Sequence, residues 1–360
     1  AFYTLLYIVT VSLLMVAIDV HAHDLRFNVT RLSAKDGLSC NTINSVQQDR
    51  DGFIWLSTPD GMSRYDGYQF QNFPKFNNNA KQRNYSSISQ LISDNTHGQI
   101  WGFTPNNILC CYDLEAACFS DYFDLDASTT LLSGRFQSSK GAWISSADFG
   151  VRCICVKEGT MQSIDFTPQN GKLLDTHKLN IQEDGKNNIW IASEKGVNLI
   201  TPDFKSRVIL KNKKILVMTC EDSRIAVLTD QGEAFLYHDQ AQLIKHSQLL
   251  SMLGFVGKSR ASFFWQGWWY IFTQGETFAM NLKTGQFHKP AIQIPNAMDK
   301  NQLKSYHFLY DKQGYAYLFG KHSALFKKFH LLDNPIYINA RDKNFVAAES
   351  QDKKVYITSY

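Results

Sequence analysis

Several reaction signatures are missing from this chain. It has no Gly-x-Ser-x-Gly, no His-Glu-x-x-His, no phosphate loop and no kinase signature. No catalytic residue is therefore assigned. No stretch after residue 24 carries a long helical period, which excludes a helix bundle. The surplus of basic over acidic side chains is small, 37 against 33, for a net charge of +4. That is too mild to imply nucleic acid, and the basic clusters are dispersed. The seven cysteines do not make a zinc pattern. Cys110 and Cys111 are adjacent, Cys153 and Cys155 are two apart, and Cys40, Cys118 and Cys220 stand alone, whereas structural zinc wants paired cysteines with two to four residues between them. They read as small buried hydrophobes, with a Cys111–Cys118 hairpin bridge as the alternative. His21-Ala22-His23-Asp24 could ligate a metal but falls across an expected cleavage site, so no metal and no cofactor is expected.

What is present is a repeat. Its clearest copy runs Gln48-Asp49-Arg50-Asp51-Gly52-Phe53-Ile54-Trp55-Leu56-Ser57-Thr58-Pro59-Asp60-Gly61, then Tyr65-Asp66-Gly67. The copy at Glu183-Asp184-Gly185-Lys186-Asn187-Asn188-Ile189-Trp190 through Gly196 is nearly as clear. Weaker copies centre on Trp101, Trp143, Ala226, Trp269 (with Gly275 after it), Tyr317 and Tyr356. The anchors recur every 36–48 residues, roughly the period of a four-stranded propeller blade. Phe53-Ile54-Trp55-Leu56 is a short apolar run suited to a strand covered on both faces. Pro59-Asp60-Gly61 and Asp66-Gly67 are tight-turn chemistry. The expectation is an all-β fold, a seven-bladed β-propeller of four-stranded antiparallel blades. The tryptophans fill the wedges between blades. The recurring aspartates Asp49, Asp94, Asp184 and Asp311 satisfy turns.

The first copy also resembles the two-component regulator propeller repeat. The resemblance rests on Gly37-Leu38-Ser39-Cys40-Asn41, then Asp49 through Trp55, then Thr58 to Tyr65-Asp66-Gly67, with Met62 where leucine is usual. It covers roughly residues 32–360. It implies the periplasmic N-terminal sensor region of a Bacteroides-type hybrid two-component system histidine kinase. Such sensors carry two propellers, a β-sandwich, a transmembrane helix and a kinase core, and they act as homodimers.

The expected organisation is a signal peptide over 1–22, N-terminally incomplete, and a propeller over 23–344. Residues 345–360 are either closing strands or the start of a second propeller. The signal reading rests on the apolar run 2–18 followed by Val20-His21-Ala22. An uncleaved anchor is the alternative, and either places the body of the chain outside the cytoplasm, in the periplasm. The expected function is ligand sensing without catalysis, with an oligosaccharide as ligand. The candidate contacts are Trp265 and Trp268, from the run Phe263-Phe264-Trp265-Gln266-Gly267-Trp268-Trp269-Tyr270, and Tyr85, from a polar insertion after the first blade. The alternatives are an exported propeller carbohydrate-active enzyme, a lyase or glycosidase, or a non-enzymatic protein-interaction scaffold.

Overall fold

The first copy of the repeat becomes four antiparallel strands, paired in chain order: Ser45–Gln48, Ile54–Thr58, Gly61–Tyr65 and Phe70–Pro74. Its second strand is buried along its whole length, as an apolar run covered by neighbours on both faces must be. The same order recurs in five more sheets, at 90–124, 136–166, 180–211, 215–248 and 259–288. These are blades one to six. The structure is a computed structural model. It describes residues 25–74, 88, 90–94, 98–104, 108–116, 118–124, 136–138, 141–146, 149–157, 160–177, 179–221, 223–238, 241–248, 259–265, 267–273, 277–290, 292–293, 307–310, 315–320, 323–331, 345–349 and 355–359. Beyond residue 290 only the backbone is described. The expected export signal, the insertion with Tyr85, and Gly275 lie outside these residues.

A seventh sheet is assembled from both ends of the chain. His307–Tyr310, Tyr315–Gly320 and Ser323–Leu331 provide three strands. Leu25–Leu32 provides the fourth, antiparallel to Ser323–Leu331, with Phe27 opposite Leu331 and Leu32 opposite Phe326. Ile292–Gln293 adds a short parallel strip on the outer side of Leu25–Leu32. The first strands of successive sheets are neighbours, from blade one round to blade seven. Leu32 then packs among Leu38, Val46, Ile54 and Leu56 of blade one. The chain is a β-propeller closed by its own N-terminal strand. Phe345–Glu349 and Val355–Ser359 pair with each other and, among the described residues, with nothing else. Among the described strands, the one that completes the sheet of Ser323–Leu331 is Leu25–Leu32.

Among the described side chains, the core is a series of apolar clusters in the seams between blades. Trp55 lies with Leu91, Ile100 and Cys110 of blade two, and Trp101 with Ile144 and Phe149 of blade three. Trp143 lies with Leu179 and Ile181 of blade four, and Trp190 with Met218, Val227 and Phe235 of blade five. All four face the following blade and are buried. Trp269 does not follow them. It packs with Val217, Ala226 and Leu228 of the preceding blade, and its indole N–H donates to Thr219 Oγ1 there at 3.0 Å. Successive strand residues point to opposite faces, so Tyr270, fully buried, takes the side that Trp190 takes in blade four. The aromatic run offered adjacent candidates, and counting six residues to a glycine selected the wrong one.

Adjacent cysteines show the same alternation. Cys110 enters the seam between blades one and two, and Cys111 the seam between blades two and three. Burial pushes the thiols of Cys110 and Cys153 up to about 12, which holds them protonated as small hydrophobes. The register places Cys111 opposite Asp121 and Cys118 opposite Asp113, so the two do not face each other.

Candidate functional site

The repeat residues themselves form a latch. Asp49 sits buried in the turn before the second strand of blade one. Its Oδ1 accepts the backbone N–H groups of Asp51 and Phe53, at 3.0 and 2.9 Å, and its Oδ2 accepts the Trp55 indole N–H at 2.6 Å. Blade four repeats the arrangement. Asp184 Oδ1 accepts Lys186 and Asn188 N–H at 2.9 Å, and Oδ2 accepts the Trp190 indole N–H at 2.8 Å. The next hairpin matches too: Thr58 Oγ1 and Ser193 Oγ donate to the carbonyls of Gly61 and Gly196, both at 3.1 Å. Every partner is displaced by the same number of positions between the two blades. In blade two one extra residue separates Asp94 from Trp101. The buried Trp101 indole N–H has no hydrogen-bond partner among the described residues.

Tyr65, Asp66 and Gly67 close the outer hairpin of blade one on itself. Tyr65 Oη donates to the Gly67 carbonyl at 2.5 Å. Asp66 Oδ1 accepts Tyr68 and Gln69 N–H at 2.8 Å, bonds that lower its pKa. Tyr68 stands at the tip, 96% exposed. The motif residues thus serve the blade.

The aromatic candidates of blade six divide. Trp265 and Trp268 face each other across a tight hairpin at Gly267, whose φ of 79° suits glycine. Trp268 is only 2% exposed, and its ring meets His288 edge-on at 5.0 Å, so its face is not open for stacking. That corrects the sequence expectation: the strand after the turn is covered on both faces. Trp265 is half-buried, beside Tyr270 at 5.8 Å, and keeps part of its ring at the surface. On the opposite side of the same strand the Arg224 guanidinium covers Phe264 at 5.2 Å and pairs with Glu221 at 3.3 Å.

The main concentration of ionisable groups lies elsewhere, along the connecting segments and second hairpins of blades four and five. Asp175 precedes blade four and is buried. It accepts from His177 Nδ1 at 2.9 Å and lies 3.9 Å from Lys195 Nζ in the blade-four hairpin. Burial works to raise its pKa, but the hydrogen bonds from His177 and the Thr176 N–H, with the Lys195 charge, outweigh it and lower the pKa. Glu194 pairs with Lys214 at 3.6 Å. Lys213 pairs with Glu233 at 2.6 Å, and His246 approaches the same carboxylate at 3.7 Å. Backbone bonds tie the segments together, from Asn212 N–H to Lys195 O and from Asp230 N–H to Lys214 O, both 2.9 Å. Three separate groups of ion pairs therefore lie along these segments. Lys195 with Asp175, Glu194 with Lys214 and Lys213 with Glu233 were not legible in the sequence, because each joins different turns. Among the described residues no three His, Cys, Asp or Glu side chains gather as a metal set. No described helix is long and apolar enough to cross a membrane.

Residues 37–60 match the family described as "Two component regulator propeller". The match falls on the segment leading into blade one and its first two strands. The matched segment contains the Asp49–Trp55 latch and runs to the hairpin before Gly61. No curated protein sequence matches the chain. Among solved structures, it is similar to the extracellular domain of the putative hybrid two component system BT3049 from B. thetaiotaomicron. The identity is 17% and the TM-score 0.57, over 92% of this chain and 46% of that one. The extracellular domain of the putative hybrid two component system BT4673 from the same organism gives 15% and 0.60, over 91% and 46%. The β-propeller domain of Myceliophteria thermophila Cps50 (Swd1) gives 10% and 0.58, over 86% and 100%. At such identities the likeness shows the propeller fold. The chain spans less than half the length of the two B. thetaiotaomicron domains.

Proposed function

We propose that this propeller is a ligand-sensing module in the extracytoplasmic part of a hybrid two-component sensor, and that it performs no catalysis itself. The observation that carries the reading is the regulator propeller repeat at residues 37–60. The likeness to extracellular domains of putative hybrid two-component systems points the same way. In this reading the propeller lies in the periplasm, tethered to the inner membrane through later parts of a dimeric protein.

The ligand is an oligosaccharide that stacks on Trp265, whose partly exposed aromatic face suits a sugar ring. Calorimetry of the complete extracytoplasmic region against neutral and acidic oligosaccharides tests this. Heat with a glycan that is lost in Trp265→Ala, at unchanged thermal midpoint, is the expected result. Heat with a nucleotide, or turnover of any glycan, would overturn the sensor reading. Silence from every glycan would leave the protein-interaction scaffold in its place.

A further inference from the structure

The fourth strand is the outer edge of each blade, and most of these edges are blunted. Phe70–Pro74 of blade one is short and ends in proline. The outer strands of blades two, four and five are bulged, at Ser120, Ile209 and Ile244. That of blade six, Phe287–His288, has two residues. Leu25–Leu32 of blade seven already carries Ile292–Gln293 along part of its outer side. Proline, bulges, shortness and cover are the ordinary defences of an edge against strand addition. Thr160–Phe166 of blade three has none of them. It runs for seven residues without Pro, Lys or Arg, in unbroken register with Val151–Lys157. Among the described residues nothing pairs with its outer side. Its one charge, Asp165, is held by Arg152 in two bonds of 2.6 and 2.8 Å.

The register says which backbone groups of this strand are open. Antiparallel partners exchange hydrogen bonds at alternate pairs. The Ile154 carbonyl points toward Gly141 on the inner side, since a Cβ there would lie 2.2 Å from its oxygen. Ile154 therefore directs its backbone groups to the inner strand, and Ser163, opposite it, turns its own N–H and C=O outward. Met161 and Asp165 share that phase, whereas the Gln162 carbonyl faces inward and accepts from Cys155 Sγ at 3.8 Å. The Asp165 carbonyl is taken by the Asn170 side chain at 2.9 Å, which closes the edge at that end. The open stretch is centred on Gln162, whose side chain, like that of Ser163, is exposed.

We propose that this edge pairs with the same edge of a second copy, antiparallel about a two-fold axis at Gln162. Met161 of one copy then faces Ser163 of the other, and each such pair exchanges both N–H···O bonds. Gln162 lies opposite Gln162, where side chains approach most closely, and an amide is its own complement because it both donates and accepts. The Asp165 carboxylates stay off the contact, each held by its own Arg152. A strand from a different protein fits less well. Added strands gain specificity from pockets for alternate side chains, and this edge presents the polar Gln162 and Ser163 instead. Pairing like surfaces about a two-fold axis closes on itself as a dimer. The proposal stands on the strand and not on the sensor reading, so a failed glycan titration leaves it intact.

The test is a disulfide trap in the complete protein, with the parent and its own cysteines as background. Gln162→Cys should give a covalent dimer under mild oxidation, because residues opposite each other at a non-hydrogen-bonded pair lie about 4.5 Å apart at Cα. Ser163→Cys should give about tenfold less, since across the same axis its Cα atoms lie beyond the roughly 7 Å limit for a bridge. Adding Ser163→Pro to Gln162→Cys removes an outward N–H and no ladder bond to Val151–Lys157. The yield should then fall about tenfold at an unchanged thermal midpoint. If that midpoint drops, Gln162→Lys takes its place, read by sedimentation velocity. Like charges set directly opposite should raise the dimer dissociation constant about tenfold. Four outcomes would overturn the proposal. They are no covalent dimer from Gln162→Cys, equal trapping from Ser163→Cys, a dimer indifferent to the proline and lysine changes, and a Gln162→Cys adduct with a different protein.

Discussion

The Asp49 carboxylate holds the Trp55 indole N–H at 2.6 Å while its other oxygen caps the turn that delivers Trp55 to the seam. One side chain thus sets both the turn and the ring. Asp49→Ala or Asp184→Ala should each cost about 1.5–3 kcal/mol, the range for hydrogen bonds to a charged group. Trp55→Ala should cost about 3–5 kcal/mol as a large aromatic truncation. Chemical denaturation measures both, and an Asp→Ala variant as stable as the parent would remove the latch from the account.

The unpaired indole of blade two makes an internal control. Trp190→Phe takes a bond from Asp184, whereas Trp101→Phe deletes a buried donor that has no described partner. The blade-four change should therefore be the more costly one, because it gives up a hydrogen bond to a charged carboxylate that Trp101 never makes with a described residue. Equal losses in parallel melts would contradict the difference.

Gly196 turns the second hairpin of blade four at φ 142°, and a Cβ there would lie 2.0 Å from the Leu210 carbonyl oxygen. Gly196→Ala should destabilise by more than about 1 kcal/mol, since neither the backbone angle nor the space accepts it. A neutral or stabilising result in thermal melts would refute this.

Asp175 supplies an acid-sensitive contribution. Its folded pKa is lowered, so the unfolded chain binds the proton more readily. The stability it provides is complete above the unfolded carboxylate pKa and is lost as pH falls through the folded one. Asp175→Asn should lower the thermal midpoint at neutral pH and bring the variant closer to the parent in acid. A constant gap across the acid range would count against the ion pairs of Asp175.

Ring closure can be tested at the backbone. Val29 pairs with Phe329 within the seventh sheet. Val29→Pro removes a ladder N–H, so residues 323–331 should lose hydrogen-exchange protection ahead of blades one to six. Unchanged protection there would mean that Leu25–Leu32 does not hold the ring shut.

The blade period, the turn glycines and the seam tryptophans of blades one to four were legible in the sequence, because each is a local pattern. The latch was only half legible. Asp49 read as turn chemistry and Trp55 as packing, while their mutual bond depends on three-dimensional direction. Trp269 was misread because a run of aromatics offers several registers, and only the face it turns to decides among them. The partner of Leu25–Leu32 and the ion pairs of blades four and five were not legible, since each joins segments remote in sequence or set by different turns.

Pairing Leu25–Leu32 with Ser323–Leu331 makes assembly a matter of timing. The two strands are separated in the chain by all six locally paired sheets. Six sheets can form from local hairpins while this strand waits, and joining such distant segments is entropically slow. Until then the unfilled sheet will accept the same strand from another molecule as readily as its own, the usual route to exchanged dimers. Dilute, unhurried refolding should therefore favour closed monomeric rings, and crowded refolding should yield pairs of chains linked by traded N-terminal strands.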